Sequence, residues 1–128
     1  MPIRIVIDPA RKVVLTTCFG VLSISEVAEA CIQMAQDPAF DRGFSHLNDL
    51  TAVSGLHLSV SEMKHFIAQR LDPFSEASKR VFVASEPFVF GMSRVYESLL
   101  NLPSLVVVRS IEEGRRMLGL EPESASGS

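Results

Sequence analysis

Residues 81–108 read VFVASEPFVFGMSRVYESLLNLPSLVVV, and the fold is decided in this stretch. Val81 to Ala84 is apolar at every position. A short run of that kind suits a strand covered on both faces. Pro87 suits a first helical turn, because the N–H it lacks is one a helix leaves unpaired there. Phe88, Met92, Val95, Tyr96 and Leu99 then recur at helical spacing and mark one face. Pro103 stops the helix, and Leu105 to Val108 is a second wholly apolar strand. Strand, helix and strand in this space form a right-handed crossover between parallel neighbours.

The pattern extends upstream. Ile3, Ile5 and Ile7 alternate as in a strand, and Asp8-Pro9 begins a turn. Val13 to Phe19 is a second strand, and Gly20 ends it. The connection is too short for a crossover, so these two strands form an antiparallel hairpin. Ser23 and Glu26 have capping-box spacing. They open a helix whose stripe is Ile24, Val27, Ala28, Cys31 and Met34, and Asp37-Pro38 stops it. Phe44 to Leu50 is the third strand, and residues 51–58 read as a loop. Ser59 and Glu62 repeat the capping signature before a helix with Val60, Met63, Ile67, Leu71 and Phe74 on its inner face. Ser110 and Glu113 repeat it again before a short helix ending near Leu118.

The order is β-β-α-β-α-β-α-β-α, an α/β fold with a mixed, mostly parallel five-stranded sheet. Residues 1–120 make a single domain, and the small, polar residues 121–128 are expected to be a disordered tail. Right-handed crossovers between neighbouring strands put successive helices on one side of the sheet. The wholly apolar fourth and fifth strands then need cover on their other side. Curvature, the first hairpin or a second subunit can supply it, and a homodimer is expected on that ground.

Composition narrows the function. Hydrophobic residues make up 47% of the chain, which excludes disorder for its body. The net charge of −3 and the scattered basic pairs argue against nucleic-acid binding. No apolar run approaches the roughly 20 residues needed to span a bilayer. The early charge at Arg4 does not suit a signal peptide, so a cytoplasmic location is expected, with Cys18 and Cys31 as reduced thiols. His46, His57 and His65 lack metal-ligand spacing, and His46 is expected to point outward from its strand. No metal, cofactor or catalytic residue is assigned. An enzyme is not expected.

The chain resembles the SpoIIAA-like bacterial proteins, which share the fold of STAS domains. The resemblance rests on element order and on Asp8-Pro9, Phe19-Gly20, Asp37-Pro38, Asp49-Leu50 and Phe90-Gly91-Met92-Ser93-Arg94. It implies a β-α superhelix wound in one direction and a non-enzymatic regulatory module acting through protein–protein contacts. In STAS-type antagonists, a serine at the start of the helix after the third strand is phosphorylated. Ser54-Gly55-Leu56 is similar to the end of their Asp-Ser-Ser-Gly-Leu signature, with Ala52-Val53 in place of Asp-Ser. The resemblance also implies a second reading, a carrier of a small apolar or lipid-like ligand with peripheral membrane contact. An enzyme with an arrangement that spacing does not reveal is the third.

Several residues are candidates for binding a ligand or partner. Asp49, at the carboxyl end of a central strand, either meets a ligand or bonds its own loop. Ser54 matches the antagonist signature. Ser59 and Ser61 are possible phosphosites at a helix start, against the simpler role of Ser59 as a cap. Leu56, Leu58, Phe90 and Met92 form either an apolar binding patch or part of a thick core. Arg94 either holds an anion beside that patch or pairs with Glu97 or Glu86. Gly91, costly in a helix, suits a close approach of other backbone or ligand.

Overall fold

The computed structural model describes residues 2–120, so the expected tail at 121–128 lies outside the described residues. The elements are β1 (Ile3–Asp8), β2 (Val13–Ser23), α1 (Ile24–Ala35), β3 (Ser45–His57), α2 (Val60–Ala68), β4 (Arg80–Val83), α3 (Pro87–Leu100), β5 (Leu105–Val108) and α4 (Ile111–Met117). One five-stranded sheet has the order β1-β2-β3-β4-β5. β1 is antiparallel to β2, and every other pairing is parallel. The fold class and element order are those expected from the sequence.

The helix starts follow their caps. Ser23 and Ser59 each accept from the amide three residues on, and Glu26 and Glu62 each accept from the cap amide in return. At α4 only the first of these two bonds forms, from the Glu113 amide to Ser110. Glu86 caps α3 by accepting from the Phe88 and Val89 amides.

Two strands run further than expected. β2 does not end at Gly20, and residues 51–57 are not loop but the second half of β3. The extension pairs Phe19 with Ala52, Val21 with Gly55, and Ser23 with His57. Register shifts at Thr17/Phe19 and Gly20/Val21 absorb the irregularity, and Gly20 takes a φ of 74°, which a glycine adopts without strain. α2 is shorter than expected and stops at Ala68, so Leu71 and Phe74 lie beyond it, and its inner face is Met63 and Phe66. In α3 the buried positions are Val89, Ser93 and Tyr96, whereas Phe88 is 56% exposed. The buried face is thus offset by one residue from the expected stripe at Phe88 and Met92, while Tyr96 is common to both.

The sheet is covered on both sides by the same chain. α1, α2 and α3 pack on the face that carries Cys18, Leu50, Phe82 and Val107. α4 lies on the opposite face against Leu47, Val81, Val83 and Val108. It follows the last strand, so no crossover holds it to the side of the others. The cover of β4 and β5 thus comes from none of the three expected sources, curvature, the first hairpin or a second subunit, and the homodimer loses its physical premise. α4 comes close because residue 114 is glycine: a Cβ there would lie 2.8 Å from Val83 Cγ2 and 3.1 Å from Leu47 Cδ1. Gly114→Val is therefore expected to destabilise the fold by about 1–3 kcal/mol through overpacking. Urea unfolding measures this, and an unchanged midpoint would contradict the docking of α4.

Candidate functional site

The inner face of the sheet is not wholly apolar. Strand periodicity places Thr16 and Cys18 of β2, His46 and Asn48 of β3, and Arg80 and Phe82 of β4 on the side of α1–α3. Three of these polar side chains, Thr16, His46 and Arg80, are buried. His46 thus points inward rather than outward, stacked on Phe74 with ring centroids 3.6 Å apart.

Arg80 is 2% exposed. A buried guanidinium is tolerable only with a counter-charge. Asp72, between α2 and β4, supplies it, with Arg80 Nη1 3.0 Å from Asp72 Oδ2. Tyr96 of α3 donates its hydroxyl to the same carboxylate oxygen. Phe74 and Phe82 flank the cation, their ring centroids 5.2 and 5.4 Å from Arg80 Cζ. Burial first, and then the Asp72 carboxylate, push the Tyr96 phenol far up, so it stays a donor.

A second network joins β2 to β3. Thr16 Oγ1 donates to Asn48 Oδ1 at 2.8 Å, and Cys18 Sγ donates to the same oxygen at 3.4 Å. Thr16 Oγ1 also lies 2.9 Å from His46 Nε2. The threonine's one proton is already given to Asn48, so His46 Nε2–H must be the donor in that contact. Burial, with Arg80's charge adding to it, holds His46 well below its usual range and therefore neutral. Burial above all lifts both thiols to about 12, with Asp49 adding to the shift at Cys18 and Asp72 at Cys31.

Above this floor, between the sheet and α1–α3, lies a cavity of about 140 Å³. Its walls are apolar, from Val27 and Met34 of α1, Met63 and Phe66 of α2, and Val89 and Met92 of α3. Its floor is Thr16, His46, Asn48 and Arg80. Leu56, Leu58 and Met92, three of the expected residues, line this cavity. The others lie elsewhere. Asp49 accepts from Thr51 N and Oγ1, so it bonds its own strand, in the middle of β3 rather than at the expected carboxyl end. Ser59 is the α2 cap, and Ser61 is exposed in the first turn. Ser54 sits exposed within β3, not at a helix start. Arg94 pairs with Glu97 at 2.9 Å on the surface. Phe90 is half-buried, with the Arg109 guanidinium carbon 3.8 Å from its ring centroid. A Cβ at Gly91 would meet nothing within 4 Å, so no close approach explains that glycine.

Sequence reasoning missed Thr16, His46, Asn48, Asp72, Arg80 and Tyr96 as a group. The available signal was phase: Arg80 alternates with Val81 and so falls on the same side as Phe82. Among the described residues, no group of three or more His, Cys, Asp or Glu side chains is placed to hold a metal, and no helix is long and apolar enough to cross a membrane.

The networks have measurable consequences. Asp72→Asn leaves the guanidinium without its counter-charge and is expected to cost about 3–5 kcal/mol. Tyr96→Phe removes one hydroxyl and is expected to cost about 2 kcal/mol. Urea midpoints rank the two, and the reverse order would contradict the pairing. Folded His46 stays neutral, whereas unfolded histidine takes up a proton near pH 6.5. Falling pH therefore favours the unfolded chain, with a slope approaching about 1.4 kcal/mol per pH unit below about 6.5. His46→Phe is expected to remove that component, and equal slopes in both proteins would place His46 in water.

No family model matches the chain, and no curated protein does. Among solved structures, it is similar to the crystal structure of an uncharacterised protein of the DUF3478 family with a SpoIIAA-like fold, from Shewanella loihica PV-4. The TM-score is 0.59 and the identity 16%, covering 91% of this chain and 93% of that one. The architecture described above is thus a SpoIIAA-like fold.

Proposed function

We propose that this protein is a non-enzymatic binding module that takes a small apolar ligand into the cavity between its sheet and α1–α3. The observation that carries the reading is the cavity itself: about 140 Å³, apolar walls and a few polar groups converging on its floor. Ligand sites in soluble proteins have this character. Apolar cavities of roughly 150 Å³ take up molecules the size of benzene. The volume suits a compact ligand or the end of a longer one, not a whole two-chain lipid.

The chemistry of the floor supports binding over catalysis. Both thiols are lifted to about 12 and stay protonated at neutral pH. His46 donates to Thr16 rather than accepting from it, so it does not serve as that hydroxyl's base. Two unpaired thiols also suit the cytoplasm. The regulatory reading through protein contacts has less to rest on, since Asp49, Ser59 and Arg94 each have a local partner.

Native mass spectrometry of gently purified protein is expected to show a small co-purified mass. Benzene added to isotope-labelled protein is expected to shift the amides of Leu56, Met63 and Met92. At about ten times its Kd it should stabilise the fold by about 1.4 kcal/mol. Ala30→Leu, which points a larger side chain into the cavity, is expected to abolish both effects while the chain stays folded. An apo mass together with an unresponsive spectrum would refute the reading.

A further inference from the structure

The open edge of the sheet at β1 carries a pattern that the fold itself does not use. β1 is an outermost strand, with β2 on one side only. One step beyond the Ile3–Cys18 pair, the Phe19 amide donates to the Pro2 carbonyl at 2.9 Å. In an antiparallel ladder, such hydrogen-bonded pairs alternate with pairs that do not bond. Arg4, Val6 and Asp8 therefore turn their backbone groups to β2. Ile3, Ile5 and Ile7 turn theirs to the open edge. Among the described residues, no loop or turn bonds to those groups.

The side chains divide between the two faces of the strand. Ile3, Ile5 and Ile7 pack against the core. Arg4, Val6 and Asp8 point to the other face, where Arg4 is exposed and Val6 is 50% exposed. Arg4 makes no ion pair among the described residues. Asp8 accepts from the Arg11 amide at 3.1 Å, and the Arg11 side chain is loosely paired with it at 3.8 Å. A carboxylate has lone pairs for more than these two partners. Natural edge strands commonly deter pairing with a bulge, a proline or an inward charge. β1 has none of these over its six residues. Its two charges are opposite in sign, so they repel a second strand in some registers and attract it in one.

We propose that the β1 edge pairs with β1 of a second copy of this chain, antiparallel and centred on Val6. In that register Ile5 and the second copy's Ile7 exchange the open backbone hydrogen bonds. Val6 meets its own counterpart, and Arg4 meets Asp8 twice over by symmetry. These are the non-bonded pairs, whose side chains stand closest. Centring on Ile5 sets Arg4 against Val6, and centring on Ile7 sets Asp8 against Val6. Centring on Arg4 sets two guanidiniums against each other. Only the Val6 centre joins opposite charges and buries the exposed valine. This charge complementarity of the strand with itself favours a second copy over a foreign strand. The contact joins two five-stranded sheets edge to edge. It uses neither the faces of β4 and β5, which α4 and α3 cover, nor the cavity.

A six-residue edge is a small interface, so association is expected to be weak and to need high concentration. Sedimentation equilibrium of the intact chain, from about 10 μM to about 1 mM, should show monomer and dimer in exchange. Arg4→Asp gives the edge two carboxylates, and Asp8→Arg gives it two guanidiniums. Each variant alone should dimerise at least about tenfold more weakly, because like charges then face each other. An equimolar mixture of the two should regain association, since every charge across the edge again meets its opposite. The register has its own readout. In a non-bonded antiparallel pair the Cα atoms lie about 4.5 Å apart, within disulfide range. Val6→Cys should therefore form a disulfide-linked dimer under oxidised glutathione. Val21→Cys, similarly exposed but on β2, should not. If Asp8→Arg upsets the turn, Arg4→Asp and Val6→Cys decide without it. A chain that stays monomeric at about 1 mM, with no Val6 cross-link, overturns the inference, whatever strand of another protein the edge then takes. A dimer that survives Arg4→Asp, or cross-links equally at Val6 and Val21, overturns it too and puts the contact elsewhere.

Discussion

A charge buried at the centre of the sheet constrains everything around it. Arg80 occupies an inward position of β4, and removing a guanidinium from water costs several kcal/mol unless charge and hydrogen bonds replace the solvent. Asp72 supplies the charge, and the segment between α2 and β4 must pass over the sheet to deliver it. Tyr96 binds the same carboxylate, which fixes α3 relative to that segment. Phe74 and Phe82 flank the cation and exclude water. Burial, with the field of Arg80 adding to it, keeps the register partner His46 neutral, and a neutral imidazole stacks on Phe74 without a further counter-charge. The ion pair, the helix position and the state of the histidine are one linked arrangement.

The opposite face is settled by size rather than charge. β4 and β5 show apolar residues to both sides, and α4 covers the outer one. Its approach relies on the missing side chain at Gly114, facing Val83, Leu47 and Val81. One short helix thus completes a two-sided core within a single chain, where sequence patterning alone suggests a second copy. The patterning was sound about the need for cover and silent about its source.

Which features were legible follows from the range of the interactions that make them. Local signals read correctly: the capping boxes at Ser23 and Ser59, the Pro87 helix start, and the five strands in order. Each depends on residues within a few positions of one another. The long pairing of β2 with β3 did not read, because Gly20, Ser54 and Gly55 look like breakers in isolation. Only cross-strand partners more than thirty residues away make them part of a bulged strand. The site was harder still. Histidine, asparagine and arginine in strands suggest an outer face, and the burial of Arg80 depends on Asp72, held by Tyr96, both from other elements. Leu56, Leu58 and Met92 line the cavity, and their apolar character is the signal for a place among packed side chains.

The cavity gains meaning from its cost. By the scaling seen for sealed engineered voids, about 24 cal/mol per Å³, a space of about 140 Å³ that is partly open to solvent forgoes at most about 3 kcal/mol. That is a large share of the 5–15 kcal/mol that holds a typical domain together. A single larger side chain at Ala30 or Ser93, both in the lining, would recover part of it. Ser93 instead turns its hydroxyl back to the Val89 carbonyl of its own helix, at 2.8 Å, and leaves the space open. Small walls are explained if the space is made for an occupant, and not by the stability of the empty chain.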